Sequence, residues 1–298
     1  MRQRFAVQRI AIIGLGLIGG SLARALRKHA EVAEIVGCVR READVALALE
    51  LGLADRVTTD AAAAVRDADI VVLAVGIQTM GPLCRQLQGA LAANAIITDV
   101  GSTKQSVIAA VRAELAAPEL ARFVPGHPIA GTENSGLRAS IDGLFCNRRT
   151  ILTPLAETEP GAQACIAELW QAVGAKVSVM SPAHHDEVMA ATSHLPHLLA
   201  FALVDTLAAM AEHQEIFAYA AGGFADFTRI ASSDPGLWTH IMQANRSAIL
   251  GALEQYMEQL GDLRQALQSA DEDTIIESFA RAKQARDRFS ENNQTRRT

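Results

Sequence analysis

Aromatic residues are scarce in this chain. Nine Phe, two Tyr and two Trp make up 4% of its 298 residues, so a core has to be built from Ala, Leu, Ile and Val. Cysteine is sparse too: Cys38, Cys84, Cys146 and Cys165 are scattered with no CxxC pair. That spacing excludes a zinc ribbon or a disulfide framework and points to free thiols in a reducing compartment. No stretch approaches the ~20 uninterrupted apolar residues of a membrane span, and Met1–Gln8 lacks the layout of a secretory signal. A basic excess is missing as well. The 27 Lys and Arg against 33 Asp and Glu leave a net charge of −6, which argues against a broad grip on nucleic acid or anionic lipid. A cytoplasmic protein with neither nucleic acid nor membrane as partner is expected.

What is present is a 50% hydrophobic chain, enough for more than one buried core. Arg9–Ile13, Ile35–Val39, Ile70–Val75 and Ile96–Asp99 read as buried strands separated by Ala-rich helical segments. This alternation predicts an α/β fold with a parallel sheet covered on both faces. Phe123–Val124, Thr150–Thr153 and Lys176–Met180 are further β-like runs that could extend the sheet. Beyond them the pattern is helical, so a dinucleotide-binding domain over 1–180 and an all-α domain over 181–298 are expected. Asp234-Pro235 opens a helix, whose apolar stripe runs from Ile249 to Leu267. Unbroken through Gln268 it would reach roughly 50 Å, too long to bury its stripe alone, which predicts a homodimer; Gly261-Asp262 is the alternative break. Asp271-Glu272-Asp273 opens a last helix, and 290–298 is expected to fray.

Gly14, Gly16 and Gly19 follow the first strand as GxGxxG. The pattern suits a tight turn, close approach to a pyrophosphate and helix–strand packing, with the amides of Leu17, Ile18 and Gly19 at a helix start. The second strand ends in Arg40-Arg41, where an NAD site usually places an acid. Two guanidinium groups there suit a 2′-phosphate, so NADP is the expected cofactor, with NAD possible; the alternative is a solvated pair opening the next helix.

Four further segments carry chemistry. Ser102, in Asp99-Val-Gly-Ser-Thr-Lys104, stands at the carboxyl edge of the sheet, as a helix cap or a ligand contact. His127, in Gly126-His-Pro-Ile-Ala-Gly131, is read as a loop histidine suited to general-base work, against a plain turn residue. Ser193 and His197 share a helix face that Pro196 would kink. His194 and His197 lack a third ligand, so no metal is expected. Arg229 suits a carboxylate ligand, with Asp226 as its alternative internal partner.

In order and spacing, GLGLIGGSLA, TDVGSTK, GHPIAGTENSG, SHLPH and TRIASSDPGLW resemble the prephenate/arogenate dehydrogenase family of tyrosine biosynthesis, over nearly the whole chain. The resemblance implies a Rossmann-like domain, a helical dimerisation domain and oxidative decarboxylation of a cyclohexadiene. It implies His127 as the base on the 4-hydroxyl and Ser102 as its companion. Arg229 would bind the ring carboxylate and Ser193 and His197 would line the side-chain end. Glu133, Asp226 and Trp238 would back or gate the pocket. Ala225 and Phe227 stand where the family has an arginine and a threonine, so a basic gate at 225 is not expected. His197 as a donor to a keto oxygen favours prephenate. The alternatives are a 3-hydroxyacid-type dehydrogenase, for which neither Lys176 nor Lys283 is suitably placed, and a non-catalytic nucleotide sensor.

Overall fold

The computed structural model describes residues 5–132, 134–211 and 213–294. Within them the chain forms two compact units, one through Arg246 and one from Ser247 onward.

The apolar runs of the first half become β1 (Ala6–Ile13), β2 (Glu31–Cys38), β3 (Arg56–Thr58), β4 (Ile70–Leu73), β5 (Ile96–Asp99) and β6 (Phe123–Val124). They pair in parallel in the order β3-β2-β1-β4-β5-β6. Alternate side chains go to opposite faces. Ile10, Ile12, Ile35, Ile70 and Val72 enter one core, and Ala11, Ile13, Val36, Val71, Leu73 and Ile97 the other. Helix α1 (Leu17–His29) buries Leu22 and Leu26 in the first core, beside Ala48 of α2 (Ala43–Glu50). On the opposite face lie α3 (Ala61–Val65), α4 (Met80–Leu87) and α5 (Gln105–Arg112), bringing Ala64, Leu83, Val107 and Val111. Both faces are therefore dry, which is why the strands read as continuous apolar runs. The strand order reverses beside β1, and the carboxyl edge at such a point is where doubly wound folds bind ligands.

After the short α6 (Ala117–Leu120) and β6, the sheet stops. Pro125 follows β6 directly and has no N–H for a further ladder bond. Strands β7 (Gly126–Pro128), β8 (Arg149–Leu152) and β9 (Lys176–Val179) form a separate three-stranded sheet. In it β7 runs antiparallel to β8, and β8 parallel to β9. Only the first of the three later β-like runs extends the main sheet, and His127 lies on a strand rather than in a loop. Helix α7 (Pro160–Ala172) packs on β6 and β9. Its fully buried Trp170 meets Phe145 edge-on, with ring centroids 5.2 Å apart.

From here the described chain is helical. Ser181 caps α8 (Pro182–Met189), accepting from the His184 amide at 3.3 Å. A π-helical turn, Ala190–His194, leads into α9 (Leu195–Ala208). Pro196 in the first turn of α9 has no N–H to donate, and the wider turn before it absorbs the defect. The run from Pro182 to Ala208 is long and apolar enough to cross a membrane by length and composition, yet it buries His185, Asp186 and His194 inside the protein. Helices α10 (His213–Ala218), α11 (Gly222–Thr228) and α12 (Pro235–Ala244), with a 3₁₀ turn at Arg229–Ser232, complete this unit.

The second unit holds most of α13 (Arg246–Ser269) and all of α14 (Glu272–Gln294). The long helix expected from Pro235 is broken at Asn245, whose φ of −114° and ψ of 27° leave the helical range. Gly261-Asp262 does not break it. Asn245 breaks the helix because its side-chain amide is drawn into buried hydrogen bonds. Asp271 caps α14, accepting from the Thr274 amide at 3.1 Å. The helix continues through Gln294, so residues 290–294 are helical where fraying was expected, and 295–298 lie outside the described residues. Leu260, Leu263 and Leu267 face Ile275 and Phe279 across an apolar groove within this unit.

Candidate active site

The glycine turn after β1 requires glycine for two reasons. Gly14 adopts φ +97°, and a Cβ on it would lie 2.3 Å from the Ala74 carbonyl oxygen. A Cβ on Gly19 would lie 1.9 Å from the Gly14 carbonyl oxygen, so α1 could not seat against the turn. Gly16 differs, because a Cβ there would enter open space. Helix α1 begins with no side-chain cap and no acid in its first turn, which leaves the amides of Leu17, Ile18 and Gly19 facing that space. Open room over uncapped amides fits the pyrophosphate of a dinucleotide.

At the end of β2, Arg40 and Arg41 are both exposed. Arg41 grips Asp44 of α2 in a fork, Nε to Oδ2 at 2.8 Å and Nη2 to Oδ1 at 2.6 Å. One of the two expected guanidiniums is therefore held by its own helix. Arg40 makes no ion pair among the described residues.

At the end of β5 a buried ion pair joins the two sheets. Lys104 Nζ lies 2.5 Å from Asp99 Oδ2 and 2.6 Å from the Gly126 carbonyl oxygen, with both side chains fully enclosed. Asp99 also accepts from the amides of Gly101 at 2.7 Å and Gly126 at 3.1 Å. These bonds hold the loop bearing Ser102 against the strand bearing His127. The Ser102 hydroxyl makes no hydrogen bond among the described residues and is half-buried.

His127 Nδ1 lies 2.9 Å from His185 Nε2, and His185 Nδ1 lies 2.8 Å from Asp186 Oδ1. Asp186 also accepts from the amides of Lys104 at 2.7 Å and Gln105 at 2.9 Å, at the positive end of α5. Burial alone would raise the Asp186 carboxyl. The bonds from His185 and from the two amides outweigh it and hold the group below its ordinary value. Burial first of all, and then the nearby Lys104 charge, push the His127 imidazole well below its ordinary range, so it is neutral at physiological pH.

Asn245 Nδ2 donates to the Asp186 carbonyl at 2.8 Å and lies 3.1 Å from His194 Nδ1. His194 is pushed down to about 4, chiefly by burial. The His197 ring lies flat on the Trp238 indole, with centroids 3.5 Å apart, and its Nδ1 donates to the Ser193 carbonyl at 2.8 Å. Burial lowers His197 below its ordinary value, and the nearby Arg229 charge acts in the same sense, against the pull of Ser193. With Nδ1–H committed to the Ser193 carbonyl, a neutral His197 carries its lone pair on Nε2.

His127, Ser193, His197, Arg229 and Trp238 thus join one connected neighbourhood, with Ser102 in the loop bound to the His127 strand. Asp226, on α11, is exposed and makes no hydrogen bond or ion pair among the described residues. Glu133 lies outside the described residues. Among the described residues no three His, Cys, Asp or Glu are grouped to hold a metal.

Asp99, Lys104, His185, Asp186 and Asn245 escaped the reading of the sequence. His-His-Asp-Glu at 184–187 looks like a solvated helix start. The available signal was spacing, since His185 and Asp186 fall four and three residues before Met189 and share its buried face.

Two family models match the chain, the nucleotide-binding domain of prephenate dehydrogenase over residues 22–179 and its dimerization domain over 181–281. A cyclohexadienyl dehydrogenase of Zymomonas mobilis is 42% identical over 281 residues, covering 93% of this chain and 94% of its own. The crystal structure of prephenate dehydrogenase from A. aeolicus, in complex with hydroxyphenyl propionate and NAD+, is similar with a TM-score of 0.88 and 35% identity, over 95% of this chain and 99% of that one. Synechocystis arogenate dehydrogenase is similar at a TM-score of 0.81 and 29% identity, over 95% and 100%. Neither a 3-hydroxyacid-type enzyme nor a non-catalytic sensor is favoured. The chain belongs to the prephenate dehydrogenase family and is an oxidoreductase of tyrosine biosynthesis that works with a pyridine nucleotide.

Proposed function

We propose that this enzyme oxidises and decarboxylates prephenate, arogenate or both, with NADP preferred over NAD. The observation that carries the reading is His127 on β7, bonded through Nδ1 to the enclosed His185 and held beside the Ser102 loop by Lys104. A dinucleotide held by its pyrophosphate at the glycine turn would supply, in its oxidised nicotinamide, the hydride acceptor. His127 Nε2 takes the proton of the 4-hydroxyl as C4 becomes carbonyl-like, and the Ser102 hydroxyl bonds to the same oxygen. Arg229 pairs with the ring carboxylate, which leaves as CO2 as the ring becomes aromatic. Ser193 and His197 line the side-chain end of the substrate, with Trp238 behind His197, while Glu133 and Asp226 keep the backing or gating role that the resemblance implies.

The Nε2 lone pair of a neutral His197 supports use of both substrates. It accepts from the ammonium of arogenate, and only its protonated form donates to the keto oxygen of prephenate. The preference for NADP rests on the missing acid after β2 and on Arg40 and Arg41 beside it. A domain boundary at 180/181 is supported by the two family models, one ending at 179 and the next beginning at 181. A homodimer through the helical domain is supported by the exposed Leu260, Leu267 and Phe279 of the second unit. Four free cysteines support a cytoplasmic location.

The test supplies purified protein with prephenate or arogenate and NADP or NAD, following reduced nicotinamide and CO2 together. Equimolar release is expected. His127→Asn should lower kcat by ~10²–10⁴ with KM little changed. Failure to turn over either substrate, or reduction without CO2, overturns the reading.

A further inference from the structure

We propose that His185 is a positioning residue that fixes the tautomer of His127. Anchored on Asp186, it presents a bare Nε2 to His127 Nδ1–H and leaves His127 Nε2 as the lone pair aimed at substrate. This rests on the reading of His127 as the base.

Asp186 accepts two backbone amides at the start of α5, Lys104 on Oδ1 and Gln105 on Oδ2. Amides only donate, so both oxygens are acceptors and the group is a carboxylate. The same Oδ1 lies 2.8 Å from His185 Nδ1, which must therefore carry a hydrogen. A neutral His185 with Nδ1–H has its lone pair on Nε2. That atom lies 2.9 Å from His127 Nδ1, so the shared hydrogen sits on His127. Its Nε2 is then bare. A buried carboxylate oriented toward an imidazole selects the tautomer in the same way in hydrolase triads. When His127 takes a proton on Nε2, Nδ1–H stays in place and the imidazolium is stabilised by His185 and, one step behind, by the Asp186 charge. No second proton moves.

Geometry makes the device rigid. His185 and Asp186 are fully or almost fully enclosed, and Asn245 ties the Asp186 backbone to His194. His127 is reached from β7, His185 and Asp186 from α8, and the amides from α5, so three elements fix one nitrogen. The site that moves the proton is thereby coupled to the loop that carries Ser102, through Lys104.

The test reads the tautomer directly, by nitrogen NMR of 15N-histidine-labelled full-length protein, with His127 assigned from the spectrum of His127→Gln. In the parent, His127 should show a protonated Nδ1 and a bare Nε2, and His185 a protonated Nδ1 alone. His185→Gln keeps an acceptor oxygen near the old Nε2 and should keep that His127 tautomer and most of kcat. His185→Met has similar bulk without a strong acceptor. It should give mixed tautomers and a kcat lower by about 10–100-fold, with KM changed by less than about 3-fold. A parent His127 protonated on Nε2, a doubly protonated His185, or a Met variant with the parent's tautomer each overturns the proposal. So does a Gln variant no better than Met. The parent spectrum alone decides if the Met variant fails to fold. Loss of the substrate reading would appear separately, as a parent enzyme inert toward prephenate and arogenate while the tautomers are as stated.

Discussion

The His197 imidazole lies on the Trp238 indole with planes 17° apart and centroids 3.5 Å apart. Trp238 thereby fixes one face of the ring while the Ser193 carbonyl fixes its Nδ1. Aromatic pairs contribute about 0.5–1.5 kcal/mol beyond area burial. Trp238→Ala should raise KM by roughly 2- to 12-fold with a smaller effect on kcat, and Trp238→Phe should retain most of the affinity. Steady-state kinetics check both. A larger loss in kcat than in KM would place Trp238 in the chemistry rather than behind His197.

The choice between substrates should follow the charge of His197. Because burial lowers its titration below the ordinary histidine value, the ring is neutral at pH 7 and its Nε2 accepts. As pH falls and the ring gains a proton, Nε2 becomes a donor. The ratio of kcat/KM for prephenate over arogenate should therefore rise as pH falls below the ordinary histidine value of 6.5. In His197→Gln that rise should disappear.

Acid should destabilise the fold through His194. Its imidazole is pushed down to about 4 from 6.5 by burial, so the unfolded chain binds a proton that the native chain refuses between those values. The stabilising difference is complete above about pH 6.5 and is lost as pH falls toward 4, at about 1.4 kcal/mol per pH unit. His127, also lowered by burial, acts in the same direction. Urea unfolding at stepped pH should show this slope, and His194→Gln should flatten it by about one proton.

Breaking the buried Lys104–Asp99 pair should be costly. Lys104→Met leaves the Asp99 carboxylate enclosed without its cation and unties the Gly126 carbonyl. A loss of about 3–5 kcal/mol in unfolding free energy is expected, with lower kcat because β7 is released. Lys104→Met combined with Asp99→Asn should be more stable than Lys104→Met alone. Denaturant titration of the parent, Lys104→Met, Asp99→Asn and the double variant measures the coupling.

Arg40 should matter more for NADP than Arg41, because Asp44 already engages the latter. Arg40→Ala should weaken kcat/KM for NADP by about 10- to 100-fold, the worth of a charged hydrogen bond, and leave NAD little changed. Arg41→Ala should cost less. Asp44→Ala should release Arg41 and improve NADP use. Equal use of NAD and NADP by the parent would remove the preference.

Local chemistry made the first half legible from sequence. Gly14 and Gly19 announce a turn that no side chain fits, and buried strands in alternation announce a parallel sheet. Ser193 and His197 meet through an i, i+4 bond that spacing alone implies. Partners far apart along the chain were hidden. Lys104 meets Asp186 from 82 positions away and His127 meets His185 from 58, and nothing in either neighbourhood marks the other. Lys104 reads as a surface lysine until Asp99 and Gly126 enclose it. Asn245 reads as one more helical residue until Asp186 and His194 claim its amide. Periodicity reports which face of an element is buried, and the sequence by itself settled that much. Which buried polar groups satisfy one another depends on how elements distant in sequence pack, so only the tertiary structure could decide that a strand histidine would face a second histidine backed by a carboxylate.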